Sequence, residues 1–504
     1  MAEQFPVIIL PGIGQSRVQV IDESGNAVRD AWPISADAEK LMGPLKGPLM
    51  KMMLFRRDGG FSDAAARAVA SLAEDLTSYP DGSTKYPLKA DRWEFPLSEY
   101  DPKQRAYLNR MVPAERLAKA VGEENVFFFA YNSFGDAYQI AGELDAYIQQ
   151  VKARTGCEQV HLMAVSLGGV LLLAYLDAFG KKGDVKRVVN VVAALGGTHL
   201  ASDILEANFD LSDPKQLLHA MGKSTEETFS GLLDMLPEGV AEATLEKCAE
   251  ALSETIAVNS TMMWGTVPRD RYVFLKQKYL LDGDHAHIAA DADRLHKIHV
   301  NQKEFFQPFI DAGLEIFSLC GYGKRLFPLC GSGEVLSDGI VDTASASLGA
   351  VCAIPGEALP EGYEPQNPAE ENALSPDGCV DASACLYPQR TWFFANQGHD
   401  AMGGNDAALK LISRICSDDS FTGVASDPAF PRFNGTRNVK RMEREAAPAF
   451  FAINKETLSE EKRALYDTLL ARYQAWEAQT VLDKDAQEET DKLCWDLQHF
   501  AESV

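Results

Sequence analysis

A β-strand that passes into an α-helix with no loop between them is one of the tightest junctions a chain can make. Residues 160–175 spell one out: Val160-His-Leu-Met-Ala-Val-Ser166-Leu-Gly-Gly-Val-Leu-Leu-Leu-Ala-Tyr175. An apolar strand ends at a serine and an apolar helical run begins at once. So sharp a turn needs small residues two positions before and after the serine, and Ala164 and Gly168 meet that demand, with Gly169 allowing close helix packing. It would hold the Ser166 hydroxyl at the carboxyl end of a sheet and aim the Leu167 N–H, at the helix start, at a developing oxyanion. Ser166 is therefore the candidate nucleophile and Leu167 a candidate oxyanion donor.

Other short apolar runs read as strands buried on both faces of a parallel sheet: Val7 to Leu10, Val126 to Tyr131, Val188 to Ala194, Glu315 to Cys320 and Thr391 to Ala395. Between the second of these and the elbow strand, Ile140, Leu144, Ile148 and Val151 repeat at helical spacing and make a βαβ unit. Repeated alternation predicts a doubly wound, mostly parallel α/β sheet. Its core is expected in 1–200 and 312–440, with 349–390, acidic and proline-rich, as a long surface loop. Residues 201–311 read as an inserted helical cap. Residues 441–504 read as a C-terminal helical extension, in which Thr457 and Glu460 form a capping box and Leu465, Leu469, Tyr473 and Trp476 follow at helical spacing.

Charge excludes some functions. With 73 acidic against 48 basic residues the net charge is −25, and a field of that sign repels nucleic acid phosphate. No segment reaches the roughly 18 uninterrupted apolar residues of a spanning helix. The start has no basic leader, and nine scattered cysteines fit a reducing cytoplasm. Cys379 and Cys385 are read as free thiols.

A serine nucleophile needs a base, and in this architecture the acid and then the histidine follow it along the chain. Of nine histidines, His399 comes after the strand Thr391 to Ala395 and before the helix-like run Ala407 to Ile415, so it is the expected base. The Gly turn Leu336-Ser-Asp338-Gly-Ile-Val-Asp342 supplies the acid, with Asp338 leading and Asp342 as competitor. After the first strand, Pro11-Gly12-Ile13-Gly14-Gln15 allows close backbone approach, and the Ile13 N–H is the second expected oxyanion donor.

Taken together these pieces resemble the lecithin:cholesterol acyltransferase group of α/β-hydrolases, which includes lysosomal phospholipase A and phospholipid:diacylglycerol acyltransferase, and more distantly some bacterial lipases. The resemblance spans Phe5 to Ser16, Val126 to Gly197, Phe317 to Ser347 and a weaker stretch around His399. It rests on the Pro-Gly-Ile turn, Ser-Leu-Gly-Gly, Gly196-Gly197-Thr198, Gly321-Tyr322-Gly323 and Asp338-Gly-Ile-Val. It implies the triad Ser166, Asp338 and His399, with Ile13 and Leu167 as oxyanion donors. Where that group often has Tyr-Asp-Trp-Arg, this chain has Tyr131-Asn132-Ser133-Phe134, and it lacks that group's disulfide near the first strand.

The expected activity is hydrolysis of carboxylic, lipid-like esters through an acyl-enzyme. Transfer of the acyl group to an alcohol, or a non-catalytic binding role, are the alternatives. Neither cofactor nor metal is expected, and the oligomeric state stays open. Asp282-Gly-Asp-His285-Ala-His287 with His296 and His299 offers metal-ligand residue types but reads as the polar start of a cap helix, and His161 reads as a satisfied core histidine. Leu41 to Arg57, apolar and locally cationic, reads either as core packing with its basic residues solvated or as an interfacial or acyl-binding segment in transient contact with a membrane surface. Leu232, Met235, Leu236, Met262, Met263 and Trp264 are expected to line an acyl pocket under the cap.

Overall fold

The computed structural model describes residues 4–34, 38–210, 236–237, 239–327, 330–479 and 486–504. Its centre is a seven-stranded sheet built from Val7–Leu10 (β1), Val126–Phe128 (β2), Val160–Val165 (β3), Val185–Val191 (β4), Glu315–Tyr322 (β5), Thr391–Ala395 (β6) and Phe433–Asn434 (β7). The spatial order is β7-β6-β5-β4-β3-β1-β2, and every pairing is parallel.

Alternate side chains of one strand go to opposite faces. Ile8 and Leu10 join one cluster with Ile140, Leu144, Ile148 and Val151 of the helix Ala137–Thr155 and with the helix Gly168–Phe179. Val7 and Ile9 join the other, with Leu117 of the helix Ala114–Val121 and Leu411 and Ile415 of the helix Asp406–Ser417. Helices therefore cover both faces, and the fold is the doubly wound α/β sheet expected. β1 has β2 on one side and β3 on the other, so strand order reverses there, and ligands of such sheets bind at the carboxyl ends beside that reversal.

Strand limits differ from the apolar runs for local reasons. β2 stops at Phe128 because its partner β1 stops before Pro11, which has no N–H to donate. β4 ends at Val191 because Val192 turns with φ 46°. A three-stranded antiparallel sheet, Val18–Ile21 between Ala27–Trp32 and Leu88–Ala90, was not expected.

Between β4 and β5 lie helices that include His199–Glu206, Val240–Leu252, Thr261–Trp264, Arg269–Tyr279, Ala286–Val300 and Gln302–Asp311. They are joined by a pair from much earlier in the chain, Ala38–Phe55 and Phe61–Leu72. Leu45 and Met52 of that pair are buried against Phe61 and Val240, while Met50, Met53, Leu54 and Phe55 are exposed. The stretch 349–390 is irregular around a short hairpin, Val351–Cys352 with Val380–Asp381, but it is not all surface. Ala350, Cys379, Val380, Ala382 and Cys385 are buried on Cys320, Tyr322 and Phe393. All nine cysteines are free thiols.

In the C-terminal segment the helix Glu460–Ala478 is capped by Ser459, whose hydroxyl accepts from the Lys462 N–H, and not by Thr457. Leu469 and Trp476 are buried and Tyr473 packs beside them, as their spacing indicates. Leu465 is exposed, while Tyr466 is buried and stacks on Phe450 with ring centroids 4.4 Å apart.

Of the residues expected to line an acyl pocket, Met262, Met263 and Trp264 are buried. Met262 is buried in the core cluster with Val170 and Leu295; Met263 and Trp264 belong to a cap cluster with Leu275 and Ile288. Leu236 lies at the edge of the cluster around Met52, and Leu232 and Met235 fall outside the described residues. The Trp264 indole is 1% exposed, donates to the Val258 carbonyl at 2.8 Å and meets Tyr272 edge-on. Trp264→Ala should therefore lower unfolding free energy by about 3–5 kcal/mol in a denaturant titration, the usual cost of emptying a large buried site.

Candidate active site

Ser166 has φ 54°, in the left-handed region, which costs a non-glycine residue roughly 1–3 kcal/mol and persists only when its surroundings enforce it. The enforcement is visible. The Ser166 N–H donates to the Val191 carbonyl at 3.1 Å, and the Ser166 carbonyl accepts from the N–H groups of Gly169 at 3.0 Å and Ala194 at 3.1 Å. The following helix starts so close to β1 that a Cβ on residue 168 would stand 2.4 Å from the Leu10 carbonyl oxygen, which explains Gly168.

Three chain-distant side chains meet there. The Ser166 hydroxyl lies 2.9 Å from His399 Nε2, and His399 Nδ1 lies 2.8 Å from Asp338 Oδ2. Asp338 is 2% exposed, and its other oxygen accepts the N–H groups of Ile340 at 3.0 Å and Val341 at 2.8 Å, so the carboxylate is held from two sides. The His399 N–H also donates to the Asp338 carbonyl at 2.9 Å, locking the two turns together. Burial pulls the His399 pKa down, but the charge and hydrogen bond of Asp338, helped by the charge of Asp400, outweigh it and leave the imidazole more basic than usual.

The two oxyanion candidates flank the serine. Leu167 is buried directly after it, and Ile13 follows Gly12, where a Cβ would stand 2.9 Å from Ser166 Cβ. Among the described residues no group accepts from the backbone N–H of Ile13 or of Leu167. The Gly-rich turn is held by contacts that local sequence signals miss. The Tyr131 hydroxyl donates to the Pro11 carbonyl at 2.6 Å, the Gln15 amide oxygen accepts the Gly12 N–H at 2.6 Å, and the Trp32 indole donates to the Gly14 carbonyl at 3.1 Å.

The turn bearing His399 is braced from behind by the chain after β7. Val439 N–H donates to the Gly404 carbonyl at 2.8 Å and Asp406 N–H to the Arg437 carbonyl at 3.0 Å. The Asp406 carboxylate, 1% exposed, takes Arg116 at 2.6 Å, Lys410 at 2.9 Å and the fully buried Arg437. No motif announced this cluster, because its members come from three distant segments.

Asp342, the competing acid, is engaged elsewhere. Its Oδ2 lies 2.6 Å from His199 Nδ1, while His199 Nε2 lies 3.0 Å from Asp270 Oδ2, so the pair ties the turn at 336–342 to the helices His199–Glu206 and Arg269–Tyr279. His161 is buried as expected, but among the described residues neither ring nitrogen has a hydrogen-bond partner, so it is not the satisfied histidine expected; burial lowers its pKa to about 3. The ring packs on Phe5 with centroids 5.4 Å apart.

No protein family and no curated protein matches the chain in sequence, so nothing ties it to the lecithin:cholesterol acyltransferase group. Among solved structures, the Tle4–Tli4 complex is similar at 11% identity and TM-score 0.29, over 63% of this chain and 75% of that one. A lipase-esterase related protein from Clostridium acetobutylicum ATCC 824 is similar at 12% identity and TM-score 0.16, over 38% of this chain and 87% of that one. At such scores neither likeness bears on function. Among the described residues no helix is long and apolar enough to cross a membrane.

The His199 cluster makes stability depend on pH. Burial would lower the His199 pKa, but hydrogen bonds to Asp270 and Asp342 and their charges raise it to about 10. Because the folded value lies above the unfolded one, the stabilisation is complete below the ordinary histidine value of about 6.5 and is lost as pH rises toward the folded value. Asp342→Asn should therefore destabilise most at pH 6, with the deficit against wild type shrinking toward pH 10 in parallel urea titrations.

Proposed function

We propose that this chain is a serine hydrolase acting on carboxylic esters through an acyl-enzyme. One observation carries the reading: the continuous hydrogen-bonded chain from the Ser166 hydroxyl through His399 to Asp338, set on a strained elbow at the reversal point of a parallel sheet. A buried hydrogen-bonded Ser-His-Asp chain activates an alcohol that would otherwise be a weak nucleophile.

In this reading Ser166 Oγ attacks the ester carbonyl carbon while His399 Nε2 takes the hydroxyl proton. Asp338 holds the imidazole by its Nδ1–H and stabilises the imidazolium without becoming protonated. The carbonyl oxygen gains negative charge as the tetrahedral intermediate forms, and the N–H groups of Ile13 and Leu167 are the donors that would receive it. Collapse expels the alcohol, which takes the proton from His399 Nε2. A water then gives its proton to His399 and attacks the acyl-Ser166 carbon, and collapse returns the proton to the serine.

Ser166→Ala should lower ester turnover by about four orders of magnitude or more without loss of fold, and should abolish labelling by a fluorophosphonate probe. A folded wild-type protein that neither takes up the probe nor cleaves any p-nitrophenyl ester from acetyl to palmitoyl would sink the proposal. Asp338→Asn should cost roughly 10⁴-fold in kcat, while Asp342→Asn should act mainly on stability.

The pH profile follows from the site. The base works when neutral, so kcat/KM should rise with pH and level off above the folded His399 pKa, placing the ascending limb above the unperturbed histidine value of about 6.5. Esterase assays from pH 5 to 9 on wild type and Asp338→Asn should show the limb moving to lower pH once the aspartate charge is gone.

A further inference from the structure

Away from the triad, three side chains from separate parts of the chain turn one atom each toward a common point. Asp136 ends the turn after β2, while His287 and Asp291 lie one helical turn apart on Ala286–Val300. Asp136 Oδ2 lies 2.9 Å from His287 Nε2, Asp291 Oδ2 lies 3.9 Å from the same nitrogen, and all three ligand atoms fall within 4.8 Å of one another. Ligand atoms about 2.0–2.2 Å from a first-row divalent cation stand roughly 3–3.6 Å apart in octahedral or tetrahedral shells. The cluster is close to that size with little adjustment.

Each carboxylate has its other oxygen already committed. Asp136 Oδ1 accepts the N–H groups of Tyr138 at 3.0 Å and Gln139 at 2.8 Å, capping the helix Ala137–Thr155. Asp291 Oδ1 is held by Arg294 at 3.3 Å, and that guanidinium is drawn off to Asp177 at 2.7 Å. Contacts of this kind orient metal ligands and leave one atom of each free to coordinate. Asp291 is only 9% exposed, so its carboxylate is held among its neighbours and not spread into solvent.

A third segment covers the open side. The turn at Gly82 passes so close that a Cβ there would stand 2.8 Å from His287 Nε2 and 3.6 Å from Asp136 Oδ2, so only glycine leaves the space beside the ligand atoms clear. Asp81 on that turn adds a negative charge that acts on His287.

We propose that Asp136, His287 and Asp291 form a binding site for a divalent transition cation of the zinc class. One imidazole nitrogen with two carboxylate oxygens favours such ions over calcium, which takes oxygen ligands. Bound there, the ion pins the helix Ala286–Val300 to the N-terminal cap of the helix Ala137–Thr155. That joint lies beside Ala137, whose N–H donates to Thr261 Oγ1 at 2.6 Å. The site shares no residue with the Ser166, His399 and Asp338 set and needs no catalytic step.

Zinc chloride titrated calorimetrically into chelator-treated, dialysed protein at pH 7.5 should bind with a dissociation constant on the order of micromolar and raise Tm. His287→Ala removes a half-exposed ring without emptying a core, and Asp291→Asn keeps shape; each should weaken the tightest zinc event at least about tenfold and abolish its Tm gain. Asp284→Asn, an exposed change outside the cluster, should leave both intact. Absence of a zinc-induced Tm shift in wild type, equal binding by His287→Ala and Asp291→Asn, or calcium binding as tight as zinc would each overturn the proposal.

Discussion

The parallel pairing of β1 with β3 is the contact on which the rest of the site depends. It sets Leu10 opposite Ala164, so the Pro11–Gln15 turn and the Ser166 elbow leave the sheet side by side. Because β2 lies on the other side of β1, no strand crosses the crevice between those exits. The ends of β5 and β6 then deliver Asp338 and His399 from the same edge. A parallel sheet forces this economy of position, since every strand points its carboxyl end to one side. Close approach in turn decides residue size at Gly12 and Gly168, where an added methyl would meet Ser166 and the Leu10 carbonyl.

Much of this was legible in the chain itself. The short strands, the amphipathic helix with Ile140, Leu144, Ile148 and Val151, and the strand-serine-helix junction are local patterns, and burial on one or both faces writes them into consecutive residues. The order nucleophile, acid, histidine narrowed the remaining choices. Asp338 and Asp342 share one turn, and only the tertiary structure separates them, by giving Asp342 to His199. The three-stranded antiparallel sheet left a readable trace, since Val18 and Val20 are buried and Gln19 is not, but four residues of alternation are easily passed over. Leu469, Tyr473 and Trp476 face the core as their spacing indicates, while at the first turn Tyr466 takes the inward place and Leu465 stays exposed, because only packing against Phe450 decides between two neighbouring apolar residues.

Other features could not be read in advance because their partners are far away. The Met262–Trp264 segment looks pocket-like by composition, yet it is enclosed by side chains from 170, 275, 288 and 295. Asp406 with Arg116, Lys410 and Arg437 is likewise a purely tertiary cluster. Burying a carboxylate among three cations recovers little net stability against desolvation, but it admits few alternative arrangements, so its main effect here is to hold the turn around His399 in register with the segment after β7.

That brace has a consequence for how much of the chain the reactive centre depends on. The elbow is complete once β4 has formed, yet its hydroxyl waits for an imidazole 233 residues further on. The turn bearing that imidazole leans on Arg437 and Asn438, which are themselves bonded to Trp476 and Gln479 and to Gln487. The Ser166 elbow and the support of its His399 partner thus come from widely separated stretches of the chain. The turn that carries His399 therefore has its full set of supporting contacts only from chain that reaches Gln487, 88 residues beyond the imidazole.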